Sequence, residues 1–134
     1  MAEVALVTGG ARRIGRAIVE KLASAGYAVA IHHGDSCDEA EALLKKLETG
    51  GAKVCLLTAD LVDPAAVAAL IPAAEAALGP VTLLVNNAAS FLADDVRSLD
   101  IATWNRQFSI NLRAPSQLVG IMAERLPAGM TGAV

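Results

Sequence analysis

Short apolar runs alternate with segments of helical periodicity along this chain of 134 residues. The pattern predicts strands over residues 3–8, 27–33, 53–59 and 81–86, and helices over residues 13–25, 36–49, 64–78 and 101–125. Strands that are apolar at successive positions are buried on both faces, as the strands of parallel sheets are. The alternation therefore predicts an α/β fold in which helices cover both faces of a parallel sheet.

The handedness of the connections predicts how the strands are arranged. Right-handed crossovers favour a Rossmann-like, doubly wound parallel sheet with three α/β/α layers and the strand order 3-2-1-4. Residues 131–134 resemble the opening of a fifth strand, at which the chain stops. We therefore predict a single domain over residues 1–134, truncated at the start of strand 5. Ligands should bind at the switch point of the sheet, where residues 8–15 and 86–90 leave strands 1 and 4.

Composition argues against several classes of function. The net charge is −3, and no basic block could follow a phosphate backbone, so we predict no nucleic-acid partner. No apolar run reaches the roughly 18 residues of a membrane span, and a strand that begins this early leaves no room for a signal peptide. Cys37 and Cys55 form no CxxC motif, which indicates a reduced, cytoplasmic setting. Histidines and carboxylates form no cluster that would predict a metal site.

The segment TGGARRIG, residues 8–15, connects the first strand to the first helix. Small residues expose backbone N–H groups beside the positive N-terminus of the helix, and such an arrangement binds anions. Gly9 and Gly10 would permit a sharp turn, and Gly15 would let the helix approach the sheet closely. An ordinary strand-to-helix turn is the alternative. A P-loop is disfavoured because the two residues after Gly15 are not the Lys and Ser or Thr that it requires.

Four motifs, in this order, resemble the short-chain dehydrogenase/reductase family. The family pattern T-G-x-x-x-G-x-G is matched at Thr8-Gly9 and Ile14-Gly15, with Arg13 replacing the middle glycine as in the pteridine reductase-like branch. The other three motifs are Asp60-Leu61 after strand 3, Asn86-Asn87-Ala88-Ala89 after strand 4, and Asn111 within NLRAP. The resemblance covers the whole chain and implies a dinucleotide-binding Rossmann domain of an NAD(P)-dependent oxidoreductase.

The resemblance also implies which residues bind the coenzyme. In the family some residues contact the parts of the coenzyme that NADH and NADPH share. The corresponding residues here are Gly9, Ile14, Gly15, Asp60, Leu61, Asn87, Ala88 and Ala89. Asp60 would accept a hydrogen bond from the adenine amino group while the Leu61 N–H donates to the ring, although Asp60 is alternatively an acid that precedes a helix. Asn87 and Ala88 would run past the ribose, and Asn86 would tie strand 4 to its neighbours.

Basic and polar residues after strands 1 and 2 bear on the choice between NADPH and NADH. Arg12 and Arg13 oppose the helix dipole, which a phosphate bound among them would explain, with solvated surface arginines as the alternative. In the run HHGDS, His33 and Ser36 resemble phosphate contacts of the pteridine reductase-like branch, and the histidine before His33 is expected to pack against the sheet. Asp35 replaces that branch's arginine and would repel a phosphate if it pointed inward. NADP(H) is therefore favoured over NAD(H).

Two residues are candidates for the chemistry. Pro115 lies four residues after Asn111, and proline has no N–H for the Asn111 carbonyl, so the helix should kink there or break near Arg113. In the resembled family a water at this asparagine links the catalytic lysine to solvent, which implies a catalytic role for Asn111. Phe91 resembles the phenylalanine that stacks on a flat substrate in the pteridine reductase-like branch, with packing inside its loop as the alternative.

The Tyr-x-x-x-Lys motif of the family's chemistry is absent from these 134 residues, because the only tyrosine, Tyr27, has Ile31 four positions later. In the family that motif lies beyond the fifth strand. The chain thus resembles the cofactor-binding half of an NADPH-dependent reductase of a carbonyl, pterin or related planar substrate, and we expect it to be inactive alone. A 3-oxoacyl-thioester reductase, a sugar or alcohol dehydrogenase, and a non-catalytic dinucleotide-binding module are the alternatives.

The resemblance finally implies assembly. In the family the long helix, here residues 101–125, helps to form an interface between subunits. We therefore expect a homo-oligomer, either a dimer or a tetramer. A product cut at Val134 would leave an apolar sheet edge unpaired beside strand 4, so we expect a product of 134 residues to associate, swap segments or be poorly soluble.

Overall fold

The computed structural model describes residues 2–134. Strands and helices alternate through the first four strands, as the sequence predicts. The elements are β1 Val4–Val7, α1 Arg13–Ser24, β2 Ala28–His33, α2 Cys37–Thr49, β3 Val54–Thr58, α3 Pro64–Leu78, β4 Val81–Val85, α4 Ile101–Phe108 and α5 Ala114–Arg125.

The four strands form one parallel sheet in the order β3-β2-β1-β4. This confirms the predicted Rossmann-like α/β fold and its strand order. Ala133 continues the sheet beside β4, where its N–H donates to the Thr82 carbonyl at 2.9 Å and its carbonyl accepts from the Leu84 N–H at 3.0 Å. The predicted opening of a fifth strand therefore lies parallel to β4.

Apolar side chains pack on both faces of the sheet. On one face, Val7 belongs to a cluster with residues of α1 and α2 that are fully buried, Val19 and Leu43. On the other face, Leu6 packs with residues of α3 and α5, including Ile71 and Leu118. Because neighbouring strand residues point to opposite faces, the adjacent pair Leu6 and Val7 joins two cores, and each such buried side chain contributes about 1.5–3 kcal/mol.

A π-helical turn, Ser109–Arg113, connects α4 to α5. The Ala114 N–H donates to the Ser109 carbonyl five residues earlier, and Pro115 has no N–H to offer the Asn111 carbonyl. The predicted irregularity of the long helix is therefore a widened turn around Asn111 rather than a break. Within residues 2–134, no helix is both long and apolar enough to cross a bilayer.

Candidate functional site

A cleft of about 400 Å³ lies at the carboxyl edge of the sheet, between the segments that follow β1, β2 and β4. It is the switch point of the strand order, since β1 and β4 are neighbours there. Of the residues predicted to bind the coenzyme, the cleft is lined by Gly9, Arg12, Arg13, Ile14, Gly15, His33, Ser36, Asn87, Ala88 and Ala89. The fold thus brings together three predicted segments that are up to 80 residues apart.

The backbone of the turn after β1 requires small residues at two positions. Gly9 has a φ of 61°, in the left-handed region that favours glycine. A Cβ on Gly15 would overlap the Gly9 carbonyl oxygen and lie 2.6 Å from the Asn87 Nδ2. Arg13 also has a positive φ, 53°, which suits the glycine that the family pattern has there and costs an arginine about 1–2 kcal/mol. The turn therefore keeps the glycine backbone shape while it presents an arginine.

Hydrogen bonds join this turn to the segment after β4. The Thr8 Oγ1 accepts from the N–H groups of Asn87 at 3.1 Å and Ala88 at 3.0 Å. The Asn87 Nδ2 donates to the carbonyls of Thr8 at 3.0 Å and Gly9 at 3.1 Å. We expected Asn86 to tie strand 4 to its neighbours, but the bonds found here are made by Thr8, Asn87 and Ala88. The Asn86 Oδ1 is buried without a partner in the described part of the chain.

His32 connects the turn to β3. The Gly9 N–H donates to the His32 Nδ1 at 3.0 Å, and the His32 Nε2 lies 2.9 Å from the Ala59 carbonyl. Only 2% of His32 is exposed. Burial lowers the pKa of the imidazole, the Ala59 carbonyl opposes that shift, and His33 adds to it by repulsion. From the sequence we predicted only that His32 packs against the sheet. The signal that could have indicated a contact with the turn is its place near the end of β2, the strand beside β1, which leads into the glycine turn.

The end of the cleft beside β2 holds both predicted phosphate contacts and acidic side chains. His33 is buried, its Nε2 lies 3.1 Å from the Thr58 Oγ1, and its Nδ1 has no partner among residues 2–134. Asp35 lines the cleft, as does Arg12, whose Nε lies 3.7 Å from a carboxylate oxygen of Glu39. Glu39 was not among the predicted site residues, because nothing local in the sequence indicates that α2 faces the turn.

Asp60 and Leu61 lie outside the cleft lining, one strand further along the same edge. The Asp60 Oδ1 accepts from the Val62 N–H at 3.0 Å, and the Asp60 carboxylate stays exposed. The Leu61 side chain is buried in the core. The adenine contacts remain predictions for these two residues, and the backbone of Leu61 is the part that would make its contact.

Asn111 holds the segment after β4 in place. Its Nδ2 donates to the Ser90 carbonyl at 2.7 Å, and its Oδ1 accepts from the Ser90 N–H at 2.8 Å. Phe91, the residue after Ser90, exposes 90% of its surface, so its ring is accessible for stacking. The roles predicted for Asn111 and Phe91 remain predictions. Among residues 2–134, no three His, Cys, Asp or Glu residues are placed to hold a metal ion.

Comparison with known proteins agrees with this geometry. The family model for short chain dehydrogenases matches residues 3–134. The alternative dihydrofolate reductase 1 FolM of Brucella suis, solved with NADP, is 45% identical with a TM-score of 0.93, and the match covers 97% of this chain and 54% of that chain. A blue fluorescent protein from a metagenomic library, solved with NADPH, is 39% identical with a TM-score of 0.90, over 95% of this chain and 52% of that chain.

Curated relatives include the 3-oxoacyl-[acyl-carrier-protein] reductase FabG of Staphylococcus aureus. It is 32% identical over 113 residues, which are 84% of this chain and 46% of that protein. The chain therefore spans about half the length of the proteins that it matches here.

Proposed function

The chain belongs to the short-chain dehydrogenase family, and we propose that it is the coenzyme-binding half of an NADPH-dependent oxidoreductase. The observation that carries the proposal is the cleft at the switch point, where the glycine turn after β1, the N-terminus of α1 and two arginines meet. The bound coenzyme would supply a hydride. The chain's own residues would hold the diphosphate at the turn after β1 and the nicotinamide ribose beside Asn87 and Ala88.

The residues of the cleft fit a coenzyme with a 2′-phosphate. The buried His33 Nδ1 has no partner within the part of the chain that the structure describes, and an unpaired buried polar atom is costly unless a ligand completes its hydrogen bonds. Arg12, Arg13 and Ser36 line the same cleft and add positive charge and a hydroxyl donor. The structures of FolM and of the blue fluorescent protein, solved with NADP and NADPH, support the same choice. Asp35 and Glu39 weaken the preference for a 2′-phosphate, because their negatively charged carboxylates lie at the same end of the cleft as Arg12.

We expect Arg12→Ala to weaken NADPH binding and leave NADH binding unchanged. The guanidinium is half exposed, so the lost interaction is worth about 1 kcal/mol, which is roughly a fivefold rise in Kd. Fluorescence titration of the purified protein with each coenzyme measures both values. Arg16→Ala is the matched control, because Arg16 pairs with Glu20 on the same helix and does not line the cleft. Equal affinity for the two coenzymes, unchanged in Arg12→Ala, would contradict the proposed phosphate site.

For the substrate, we propose a pterin or a related planar carbonyl compound. The support is the exposed Phe91 ring next to the segment held by Asn111, together with 45% identity to a protein named as an alternative dihydrofolate reductase. Identity of 32% to FabG supports a 3-oxoacyl thioester as the second candidate. Steady-state assays of the protein at its natural length, with dihydrofolate and with an acetoacetyl thioester, distinguish the two. Turnover of neither substrate, with intact coenzyme binding, would favour a non-catalytic binding module.

We also propose a homo-oligomer that forms through residues 101–125. Apolar side chains of α4 and the π-helical turn are exposed: Ile101, Trp104, Phe108 and Leu112. The rings of Trp104 and Phe108 stack with their centroids 4.6 Å apart, so the exposed surface is continuous. The reduced, cytoplasmic location stays a prediction of the cysteine pattern.

A further inference from the structure

We propose that His32 is a positioning residue of the coenzyme site, which holds the diphosphate turn in its binding shape only while the imidazole is uncharged. The inference rests on the proposed coenzyme function. His32 is buried and does not line the cleft, so its role is to position the turn rather than to contact the coenzyme.

His32 fixes two successive amides of the turn. Its Nδ1 accepts from the Gly9 N–H at 3.0 Å, and its carbonyl accepts from the Gly10 N–H at 2.9 Å. Its Nε2 lies 2.9 Å from the carbonyl of Ala59, the residue before Asp60. One residue therefore links the segment predicted to hold the diphosphate with the segment predicted to hold the adenine.

The two ring contacts of His32 determine which nitrogen carries its proton. A carbonyl oxygen can only accept, so the His32 Nε2 must carry a hydrogen to bond to Ala59. A backbone N–H can only donate, so the Nδ1 that faces Gly9 must present a lone pair. The two contacts together require the neutral imidazole with its proton on Nε2. A second proton on Nδ1 would set two donors against each other at 3.0 Å, in a place with almost no access to water.

The electrostatic surroundings of His32 keep its ring uncharged. Its partner on β3 is the uncharged Leu57, and the turn contributes only amides. The charged or titratable groups from the turn after β1 to the start of α1, on β2 and β3, and in the segment between β3 and α3 are Arg12, Arg13, His33, Cys55, Asp60 and Asp63. Arg113 reaches that last segment, and Glu75 on α3 pairs with Arg125. Both aspartates accept backbone N–H groups of their own segments, Arg12 is near Glu39, and Arg113 donates to the Val62 carbonyl. His33 adds repulsion, which acts with burial to keep the pKa of His32 below its ordinary value.

The consequence is a defined pH dependence of coenzyme binding. The pKa of free histidine is about 6.5, and His32 titrates below it, so the turn is intact at neutral pH. As the pH falls through the pKa of His32, the charged form accumulates and binding of the coenzyme must expel a proton. The Kd then rises by up to about tenfold per pH unit. The effect applies equally to NADPH and NADH, because the diphosphate is common to both.

NADH is the decisive probe. A 2′-phosphate also titrates, with a second pKa near 6, and its protonation weakens NADPH binding alone. We therefore propose to measure the Kd of NADH, and of NADPH for comparison, between about pH 5 and pH 8 for the purified protein and for His32→Asn. An asparagine amide can accept from Gly9 but does not titrate, so the acid-side rise in Kd should disappear in the variant. A purely structural role would raise the Kd at every pH and leave its slope unchanged.

Arg16→Ala is the matched control, because Arg16 pairs with Glu20 on α1 and does not line the cleft. NADH binding should keep both its affinity and its acid-side slope in this variant. The free wild-type protein offers a second readout, since ¹⁵N NMR of the histidine rings reports which nitrogen carries the proton. We expect His32 to be protonated on Nε2 and unprotonated on Nδ1 at neutral pH.

The outcomes separate the two proposals. A protein that binds neither coenzyme at any pH overturns the proposed function, and this inference with it. Binding whose pH slope is the same in wild type and His32→Asn overturns the role of His32 alone. An NMR spectrum that shows the proton on Nδ1, or a charged His32 at neutral pH, also overturns the role of His32, whether or not the variant folds.

Discussion

At the scale of single residues, the site depends on how closely atoms approach. The sequence pattern predicted that Gly15 lets α1 approach the sheet, and the space around its Cα explains why, because the Gly9 carbonyl and the Asn87 amide occupy the position of a Cβ. Arg13 could be identified as a substitution in a glycine pattern. Its positive φ could not, since backbone shape depends on what the rest of the turn imposes.

We predict that Gly15→Ala destabilises the protein by about 1–3 kcal/mol and lowers its affinity for either coenzyme, because the turn must move to admit a methyl group. Gly120→Ala is the matched control. Gly120 lies in α5 with open space around its Cα, so alanine there should be neutral or stabilise the helix by up to about 1 kcal/mol. Urea denaturation and coenzyme titration measure both variants. A Gly15→Ala protein as stable as wild type would contradict the close approach.

Also at this scale, the two histidines illustrate the limit of reasoning from sequence. His32 and His33 are adjacent and chemically identical, and only the second resembled a phosphate contact. The pleat of β2 points them to opposite faces, so His32 meets Gly9 and Ala59 while His33 meets Thr58 and the cleft. The pairing of three strands decides which face of β2 lies next to the turn.

At the scale of elements, local signals predicted the helices and strands closely. Asp63 followed by proline marked the start of α3, and the structure has the Asp63 carboxylate accepting from the Ala65 N–H at 2.9 Å with Pro64 as the first helical residue. Pro115 similarly predicted an irregular helix around Asn111. That the irregularity is a π-helical turn, with the Asn111 side chain bonded to Ser90, depends on packing against the segment after β4.

We expect Asp63→Ala to lower the free energy of unfolding by about 1 kcal/mol, because the N-terminus of α3 loses its side-chain cap. Thermal or urea denaturation checks the value. Asp94→Ala is a suitable control, since Asp94 is exposed in the segment between β4 and α4 and caps no helix. Equal destabilisation by both substitutions would mean that lost charge, rather than the cap, accounts for the effect.

At the scale of the whole molecule, the sheet and its two covering layers position every part of the cleft. The alternation of strands and helices predicted a parallel sheet, and a parallel sheet has the ends of β1, β2 and β4 at one edge. Segments that are distant in sequence meet at that edge. The exposed apolar face of α4 and the π-helical turn is one part of the surface that this arrangement leaves uncovered.

We predict that Leu112→Glu shifts the protein toward a smaller species, because a carboxylate buried in an apolar interface between copies must lose its hydration. Leu112 is 58% exposed within one chain, so the substitution should leave the fold intact. Sedimentation velocity over a range of concentrations measures the change. Val96→Glu, in the segment before α4, is the matched control and should assemble as wild type does. A wild-type protein that is monomeric at all concentrations would refute the proposed oligomer.

The sequence by itself determined the order of elements, the parallel sheet and the position of its switch point, because hydrophobic periodicity and chain handedness are properties of local segments and of their succession. It also indicated most of the residues that line the cleft, through short motifs at strand ends. Only the tertiary structure decided that Asn87 rather than Asn86 ties the two turns, that Glu39 approaches Arg12, and that His32 holds the Gly9 amide. Those contacts join residues on different elements, and their geometry exists only once the packing of the sheet sets where each side chain points.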